Sequence, residues 1–557
     1  MSDADPAAET LDRDGALGPG ALAALAHPDA YPDDASATHG VEEIQTHLSH
    51  VFLTRDRVYK FRKPVELSFV RFVERAERDE DCVREVALNR RLAPDVYLGI
   101  APLLVQGDRV RVGPIADALS AAAGSGPEHC VVMRRLPSGR DALSLLEGGT
   151  LAAHQLGRVA VKVAAFHRHQ GLGVPAPFEP EEWRQRCVKP AEENLRLLSE
   201  RAAALRIEST LEICARRTRE FVAVHADRFE RRRREGRAVD GHGDLHLQHL
   251  WFESDDAEPI AIDCIEFQEG FRRIDAAAEV AFPAMDLIYR GRPELAEHFL
   301  RIYARESDDF DLYAVVDYFT SYRAAVRAKV AALAAEDPAM DSGQRERAAE
   351  SAGRHVALAG DLLAPRDPGP IVLVGGIVGT GKTSVAEALA ARLDASGGAA
   401  VISTDRVRKR EAGLAVEATI DAEVDRGLYT PEQRHRTYAA VIERAAPVVG
   451  SGRCALLDAT WSRRDERRAA VALARRLGTR AVFVETRCAE AVALERLARR
   501  AAEGRDASDA GPDFYAESRD RFEPITADEG LLHRLVATDD PEWREHLTPE
   551  RLALQLG

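Results

Sequence analysis

The stretch IVLVGGIVGTGKTSVAEALAARL, residues 371–393, decides how the second half of the chain folds. An apolar run of strand length ends in glycines, and a run with apolar residues at helical spacing follows. Between them, Gly376 to Thr383 spells G-x4-G-K-T, with a further glycine at 379. Glycines at these places let backbone N–H groups turn inward around phosphate oxygens. The start of the helix adds the positive end of its dipole. In that frame Lys382 meets the β- and γ-phosphates of ATP and Thr383 holds Mg2+. Gly376, Gly379, Gly381 and Ser384 line the same nucleotide site.

Strands and helices alternate beyond this stretch. AAVIST (399–404), CALLDATW (454–461) and RAVFVETR (480–487) have strand character, while 431–447 and 463–477 have helical spacing. Such alternation predicts a parallel sheet wrapped by helices, with ligands at the carboxyl ends of the strands. Asp405 closes VISTD and Asp458 closes CALLD, so both fall at such ends. Asp405 is the candidate base toward an acceptor hydroxyl, and Asp458 is the candidate Mg2+ holder through water. Each also suits a helix cap. The arginine-rich ERLARR (495–500), followed by GRDASDAG (504–511), fits a lid in which Arg499 reaches the nucleotide. Together these pieces resemble the small P-loop kinases related to gluconate kinase, shikimate kinase and the phosphotransferases that modify chloramphenicol, over about residues 368–540.

The first half carries a different set of residues. HVFLT (50–54) and RVYKFRK (57–63) read as a hairpin around Arg55 and Asp56, and ERDEDCVREVALNRRLAP (77–94) reads as a helix that stops near Pro94. GIAPLLVQ (99–106), DRVRVG (108–113) and HCVVMRRL (129–136) read as further strands. Residues 141–235 and 275–362 have helical spacing, and the segment 256–267 returns to strand. Phosphoryl transfer on a kinase-like scaffold needs a lysine on a strand, a glutamate that positions it, a base on a loop and an aspartate on Mg2+. Lys60, Glu85, Asp244 in GHGDLHLQHL (241–250) and Asp263 in IAIDCIEF occur in that order.

This set resembles the aminoglycoside phosphotransferase and choline kinase superfamily, whose fold is that of protein kinases, over about residues 40–335. Asp275-Ala276-Ala277-Ala278-Glu279-Val280-Ala281 is similar to the D-P-A-x-D-L-A segment of that superfamily. The resemblance implies that CVVMRRL is the hinge, holding adenine through backbone groups near Met133 to Arg135. It also places Trp183, Glu181 and Glu182 among the residues for an acceptor pocket or for the surface. Two departures stand out. No glycine-rich loop precedes Lys60; QTHLSHVF (45–52) lies there, with Thr46 and Ser49 as small hydroxyls near phosphate. His249 stands where relatives place a metal-binding Asn, and imidazole is a poor ligand for hard Mg2+.

The whole chain sets bounds. Its 557 residues exceed one core and carry a formal net charge of −16, which weighs against a dedicated nucleic-acid binder. Lysine occurs seven times, at 60, 63, 162, 189, 329, 382 and 409, and arginine supplies the other cations. The seven cysteines are scattered without a CxxC pair, as expected of reduced thiols in a cytoplasmic protein. No run approaches a membrane span, and no secretory leader is read at the start. The expected organisation is a flexible segment 1–35, a kinase-like domain 36–365 of α+β class, and a P-loop domain 366–557 of α/β class, the boundary marked by Asp367-Pro368-Gly369-Pro370. The arrangement resembles bacterial fusions of an aminoglycoside-phosphotransferase-like domain with an ATP-binding P-loop domain. It implies ATP- and Mg2+-dependent phosphorylation of a small hydroxylated acceptor, sugar-like or antibiotic-like. Two other readings remain open at this point. In one, only the P-loop domain is catalytic and the first domain is a ligand-binding or regulatory module. In the other, the P-loop domain phosphorylates nucleic-acid ends.

Overall fold

The computed structural model describes residues 17–67, 70–106, 109–119, 121–416, 418, 430–503 and 514–554. The expected lid loop 504–511, the start of DRVRVG at Asp108 and the first sixteen residues of the expected flexible segment lie outside the described residues. The chain forms two compact units. One comprises the residues up to Arg158, Phe166–Pro177 and Gly236–Phe282; the other comprises Val159–Ala165, Phe178–Glu235 and the residues from Pro283 onward.

The first unit is built on a six-stranded antiparallel sheet. Its strands run in the order Glu42–Gln45, Ser49–Leu53, Arg57–Arg62, His129–Arg134, Tyr97–Gln106, Arg109–Val112. Period-two alternation decides which residues face which layer. In VYKFR, Tyr59 and Phe61 point into a core with Phe52, Val132 and Leu103, while Lys60 and Arg62 share the opposite face. That opposite face packs under the helix Arg75–Asn89 through Cys82, Val86, Val96 and Val131. This helix begins at Glu74 with a capping box to Glu77 and ends earlier than Pro94. Residues 17–35 of the expected flexible segment 1–35 are ordered instead, as are 36–39 beyond it. The helix Pro19–Leu25 and two short turns bury Leu25, Ala30, Tyr31 and Ala37 against the sheet, and Asp34 accepts hydrogen bonds from Ser36, Thr54 and Tyr59. The apolar ALAAL run had a face to bury, and composition alone hides that.

The second unit contains the P-loop. Five parallel strands run in the order Ala399–Ser403, Cys454–Asp458, Ile371–Gly375, Ala481–Arg487, Leu532–Ala537. The three central strands are near-continuous apolar runs because helices cover both faces. The same unit holds the helices Pro180–Ser199, Glu208–Arg234, Val316–Glu336 and Ser342–Leu362, which pack on one another. The compact units therefore do not part at the expected boundary near 366.

Buried ion pairs explain why. Arg453, just before the strand Cys454–Asp458, donates to Glu297 at 2.7 and 2.8 Å and to Asp317 at 2.9 and 3.0 Å. Glu297 lies on the helix Pro293–Ser307 and Asp317 in the first turn of Val316–Glu336. Arg301 reaches Glu387 at 2.7 Å and Asp394 at 3.1 Å. A Cβ on Gly398 would stand 2.2 Å from a Glu297 carboxylate oxygen, so this position also accommodates the helix. Among the described residues, no helix is long and apolar enough to cross a membrane, and none of the seven cysteines is in a disulfide.

Removing one partner of a buried pair costs about 3–5 kcal/mol, because the other charge stays desolvated. Glu297→Ala is expected to lower the stability of the second unit by about 3 kcal/mol in urea unfolding. A fragment beginning near Pro283 should then melt higher than one beginning at Pro368, as followed by circular dichroism.

Candidate active sites

In the first unit Lys60 is the meeting point. Its Nζ donates to Glu85 Oε1 and to Asp263 Oδ1, each at 2.9 Å. Burial opposes its charge, but Asp263 and Glu85 hold its pKa above the ordinary lysine value. Asp263, paired chiefly with Lys60, stays ionised far below the usual carboxylate range. The backbone at Asp263 has φ +62°, uncommon for a residue with a Cβ, and its N–H donates to Tyr97 Oη at 3.0 Å. Arg62 completes the cluster. It donates to Asp81 Oδ2 at 2.7 Å, Glu85 Oε2 at 2.6 Å and Ser49 Oγ at 3.1 Å, and it also pairs with Glu266. Glu85 thus holds Lys60 with one oxygen and Arg62 with the other. Burial pushes Glu266 above the usual carboxylate range. Arg62, Asp81 and Glu266 were not among the expected site residues. The alternation of VYKFR and the i, i+4 spacing of Asp81 and Glu85 were the available signals.

The loop GHGDLHLQHL presents Asp244 and sets the ring orientation of three histidines. Glu279 holds the loop from behind by accepting the N–H groups of His242 and of Gly243, the latter at 3.0 Å. Gly243 has φ +85°, and a Cβ there would meet the Phe271 carbonyl at 2.9 Å. His242 donates from Nε2 to the Ile262 carbonyl at 2.8 Å, and burial lowers its pKa to about 3. His246 accepts the Gln248 N–H on Nδ1 at 3.3 Å, leaving Nε2 3.5 Å from Asp244 Oδ2. His249 directs Nδ1 to the Asp244 carbonyl at 2.8 Å and Nε2 toward Asp263 Oδ2 at 3.6 Å. Burial would raise Asp244, yet the His246 hydrogen bond and the neighbouring imidazoles keep it well below the usual range. Lys60, Glu85, Asp263, Asp244 and His249 are therefore brought together.

Some expectations need correction. The Arg135 N–H is bonded to the Asp56 carbonyl at 2.8 Å and the Arg134 N–H to the Val96 carbonyl at 2.8 Å, so neither amide is spare for adenine. Met133 lies within the sheet between Val58 and Tyr97. Ser49 is fully buried on Arg62, so its hydroxyl is not presented to phosphate, while Thr46 is exposed and its Oγ1 accepts the Ser49 N–H at 3.0 Å and donates to the Ser49 carbonyl at 3.3 Å. Trp183 is fully buried with its Nε1 on the Phe229 carbonyl at 2.9 Å, a core residue rather than a pocket wall. Glu181 and Glu182 are exposed and paired with Arg184 and Arg186.

In the second unit the P-loop residues gather as the motif requires. Gly376, Gly379 and Gly381 have φ +138°, +81° and +83°, and a Cβ on Gly376 would stand 2.5 Å from the Thr486 carbonyl. Lys382 donates from Nζ to the Ile377 carbonyl at 3.0 Å, and burial lowers its pKa. Thr383 Oγ1 donates to Asp458 Oδ2 at 2.8 Å, and burial raises Asp458 to about 6. This hydroxyl–carboxylate pair is an all-oxygen donor set, which fits hard Mg2+. A cavity of about 340 Å³ spreads from here, lined by Lys382, Thr383, Asp405, Arg434, Arg463 and Arg500 among others. Asp405 sits in the first turn of the helix Thr404–Glu411 rather than closing the strand, and Arg408 donates to it at 2.6 Å. Arg499 lines a neighbouring cavity of about 360 Å³ with Gly379, Gly381, Ser384, Thr538 and Trp543. Arg500, the next residue on the helix Glu490–Glu503, lines both cavities.

Glu279 is fully buried, and its truncation would leave two buried N–H groups unpaired, at about 1–3 kcal/mol each. Glu279→Ala is expected to destabilise the protein by at least about 2 kcal/mol in urea unfolding, and Glu279→Gln, which keeps one acceptor, by less.

Residues 371–525 match the family described as an AAA domain. An uncharacterized protein of Mycobacterium tuberculosis strain H37Rv is 33% identical over 478 residues, which cover 83% of this chain and 87% of that protein. An uncharacterized protein of Mycobacterium bovis matches to the same extent, 33% over 478 residues and the same 83% and 87% coverage. Among solved structures, a putative kinase from Chloroflexus aurantiacus has 19% identity and a TM-score of 0.28, over 34% of this chain and 100% of that one. A choline/ethanolamine kinase family protein from Mesorhizobium loti has 14% identity and a TM-score of 0.33, over 61% of this chain and 99% of that one. The chain belongs to the family of these mycobacterial proteins.

Proposed function

We propose that the chain is an ATP-dependent phosphotransferase acting on the hydroxyl of a small molecule, with a nucleotide site in each unit. One observation carries the reading. A partly buried lysine stands with a carboxylate suited to a metal-bound nucleotide twice over, as Lys60 with Asp263 and as Lys382 with Asp458. Bound Mg2+ would neutralise phosphate charge at both carboxylates.

In the first unit Lys60 would pair with nucleotide phosphates while Glu85 keeps it in place. Asp244 would accept the proton of the acceptor hydroxyl as that oxygen bonds to the γ-phosphorus and the bond to ADP breaks. The His246 contact orients the Asp244 carboxylate for this task. In the second unit Lys382 would leave the Ile377 carbonyl for the β- and γ-phosphates, and Thr383 and Asp458 would hold the metal. Asp405, held by Arg408, would serve the acceptor. The net charge of −16 favours a small-molecule acceptor over nucleic acid. Cysteines outside any disulfide accord with a cytoplasmic setting.

Calorimetry on the full chain should detect two ATP-binding events. Lys382→Ala should remove one and Lys60→Ala the other. With an acceptor found by screening metabolites with labelled ATP, Asp244→Asn should lower turnover by about 10²–10⁴-fold. Binding and turnover both unaffected by Lys60→Ala would leave the second unit as the sole ATP enzyme.

A further inference from the structure

Hydrogen bonds set the ring orientation of each histidine in GHGDLHLQHL, and the three differ. His242 uses Nε2 as a donor to the Ile262 carbonyl and Nδ1 as an acceptor from the Asp244 N–H. His246 uses Nδ1 as an acceptor from the Gln248 N–H, so Nε2 carries the proton toward Asp244. His249 is reversed. Its Nδ1 stands 2.8 Å from the Asp244 carbonyl, which can only accept, so Nδ1 carries the proton. Its Nε2 then presents a lone pair to Asp263 Oδ2, 3.6 Å away. A lone pair facing a carboxylate oxygen is repulsive unless a proton or a metal ion lies between them. The other Asp263 oxygen is engaged by Lys60 at 2.9 Å, which fixes the carboxylate so that Oδ2 faces the imidazole.

A ring nitrogen whose opposite N–H is tied to a backbone carbonyl is the usual arrangement of a metal-ligating histidine. The 3.6 Å separation is within the span that two ligand atoms about 2.1 Å from one ion can bridge. The substitution of an imidazole for an amide oxygen changes which ion is preferred. Mg2+ wants six oxygens, whereas nitrogen donors favour first-row transition ions. We propose that His249 Nε2 and Asp263 Oδ2 form a mixed nitrogen–oxygen site that takes Mn2+ or a similar divalent transition ion with the nucleotide in the first unit, in preference to Mg2+. This rests on the first unit being a nucleotide site. The second unit, with the hydroxyl and carboxylate of Thr383 and Asp458, keeps the preference for Mg2+.

The test uses the full chain carrying Lys382→Ala, loaded with Mn2+ and β,γ-methylene-ATP, and reads electron spin-echo envelope modulation. A 14N coupling from imidazole is expected. It should vanish in His249→Asn and be replaced by a 15N coupling when the protein, but not the nucleotide, is uniformly 15N-labelled. The isotope arm needs no variant to fold. In binding titrations Mn2+ should support nucleotide binding at concentrations at least about tenfold below Mg2+, and His249→Asn should narrow that gap. If Mn2+-nucleotide binds in a manner that Lys60→Ala weakens, yet no protein 14N coupling appears, the ligation is overturned while the nucleotide site stands; His249 is then an ion-pair partner of Asp263. If Lys60→Ala leaves Mn2+-nucleotide binding unchanged, the nucleotide site of the first unit is overturned, and the metal site with it.

Discussion

The first unit is organised by the need to neutralise Lys60 away from water. A buried ammonium costs several kcal/mol unless opposing charges and hydrogen bonds surround it. Glu85 comes from the helix Arg75–Asn89 and Asp263 from the segment after the strand Ile260–Ala261, so one cation ties three parts of the chain together. Arg62 repeats the device two residues along, and the shared Glu85 couples the two. Four carboxylates, Asp81, Glu85, Asp263 and Glu266, surround these two cations. The surplus of negative charge is relieved in part by the raised proton affinity of Glu266. The side of the cluster left electronegative is the one where Asp263 turns toward His249. In a chain with only seven lysines, the ones at 60 and 382 occupy the two proposed nucleotide sites, where a compact point charge would meet phosphate better than a planar guanidinium.

The second unit solves the same problem by exchange. Lys382 rests on the Ile377 carbonyl and Thr383 on Asp458, so the polar groups of the cradle satisfy one another. A nucleotide must replace these bonds rather than meet unbonded groups, and net affinity reflects the difference between the two sets. The near-continuous apolar strands beneath the loop keep its backbone fixed while this happens.

Much of this was legible from local spelling. G-x4-G-K-T with its strand and helix located the P-loop, and the order Lys60, Glu85, Asp244, Asp263 picked out residues that the fold brings into one cluster, because each rests on short motifs with fixed chemistry. Glu279 was visible as part of a recognisable segment. Arg62 was not, since its partners lie 19, 23 and 204 residues away and nothing nearby marks them. Trp183 looked like a pocket residue because an indole beside two glutamates on a helix has the composition of a surface, whereas packing buries it. Arg135 was misread because an amide at the end of a strand is available only if no neighbouring carbonyl claims it. Arg499 and Arg500 differ by a 100° turn of helix, which spacing cannot resolve when the lid motif is loose. The helices from 283 to 362 were assigned by sequence continuity, while their buried charges answer to residues of the later half.

That last pairing bears on how the two halves can be inherited. Glu297 finds its partner in Arg453, and Gly398 lacks the side chain that would collide with it. A lineage that exchanged either half with a relative by recombination near the Pro-Gly junction would bring an unmatched charge and a bulky neighbour into one interior. The junction looks like a seam in the gene, but selection acts on both sides of it together, so the pair is expected to have travelled as one heritable block.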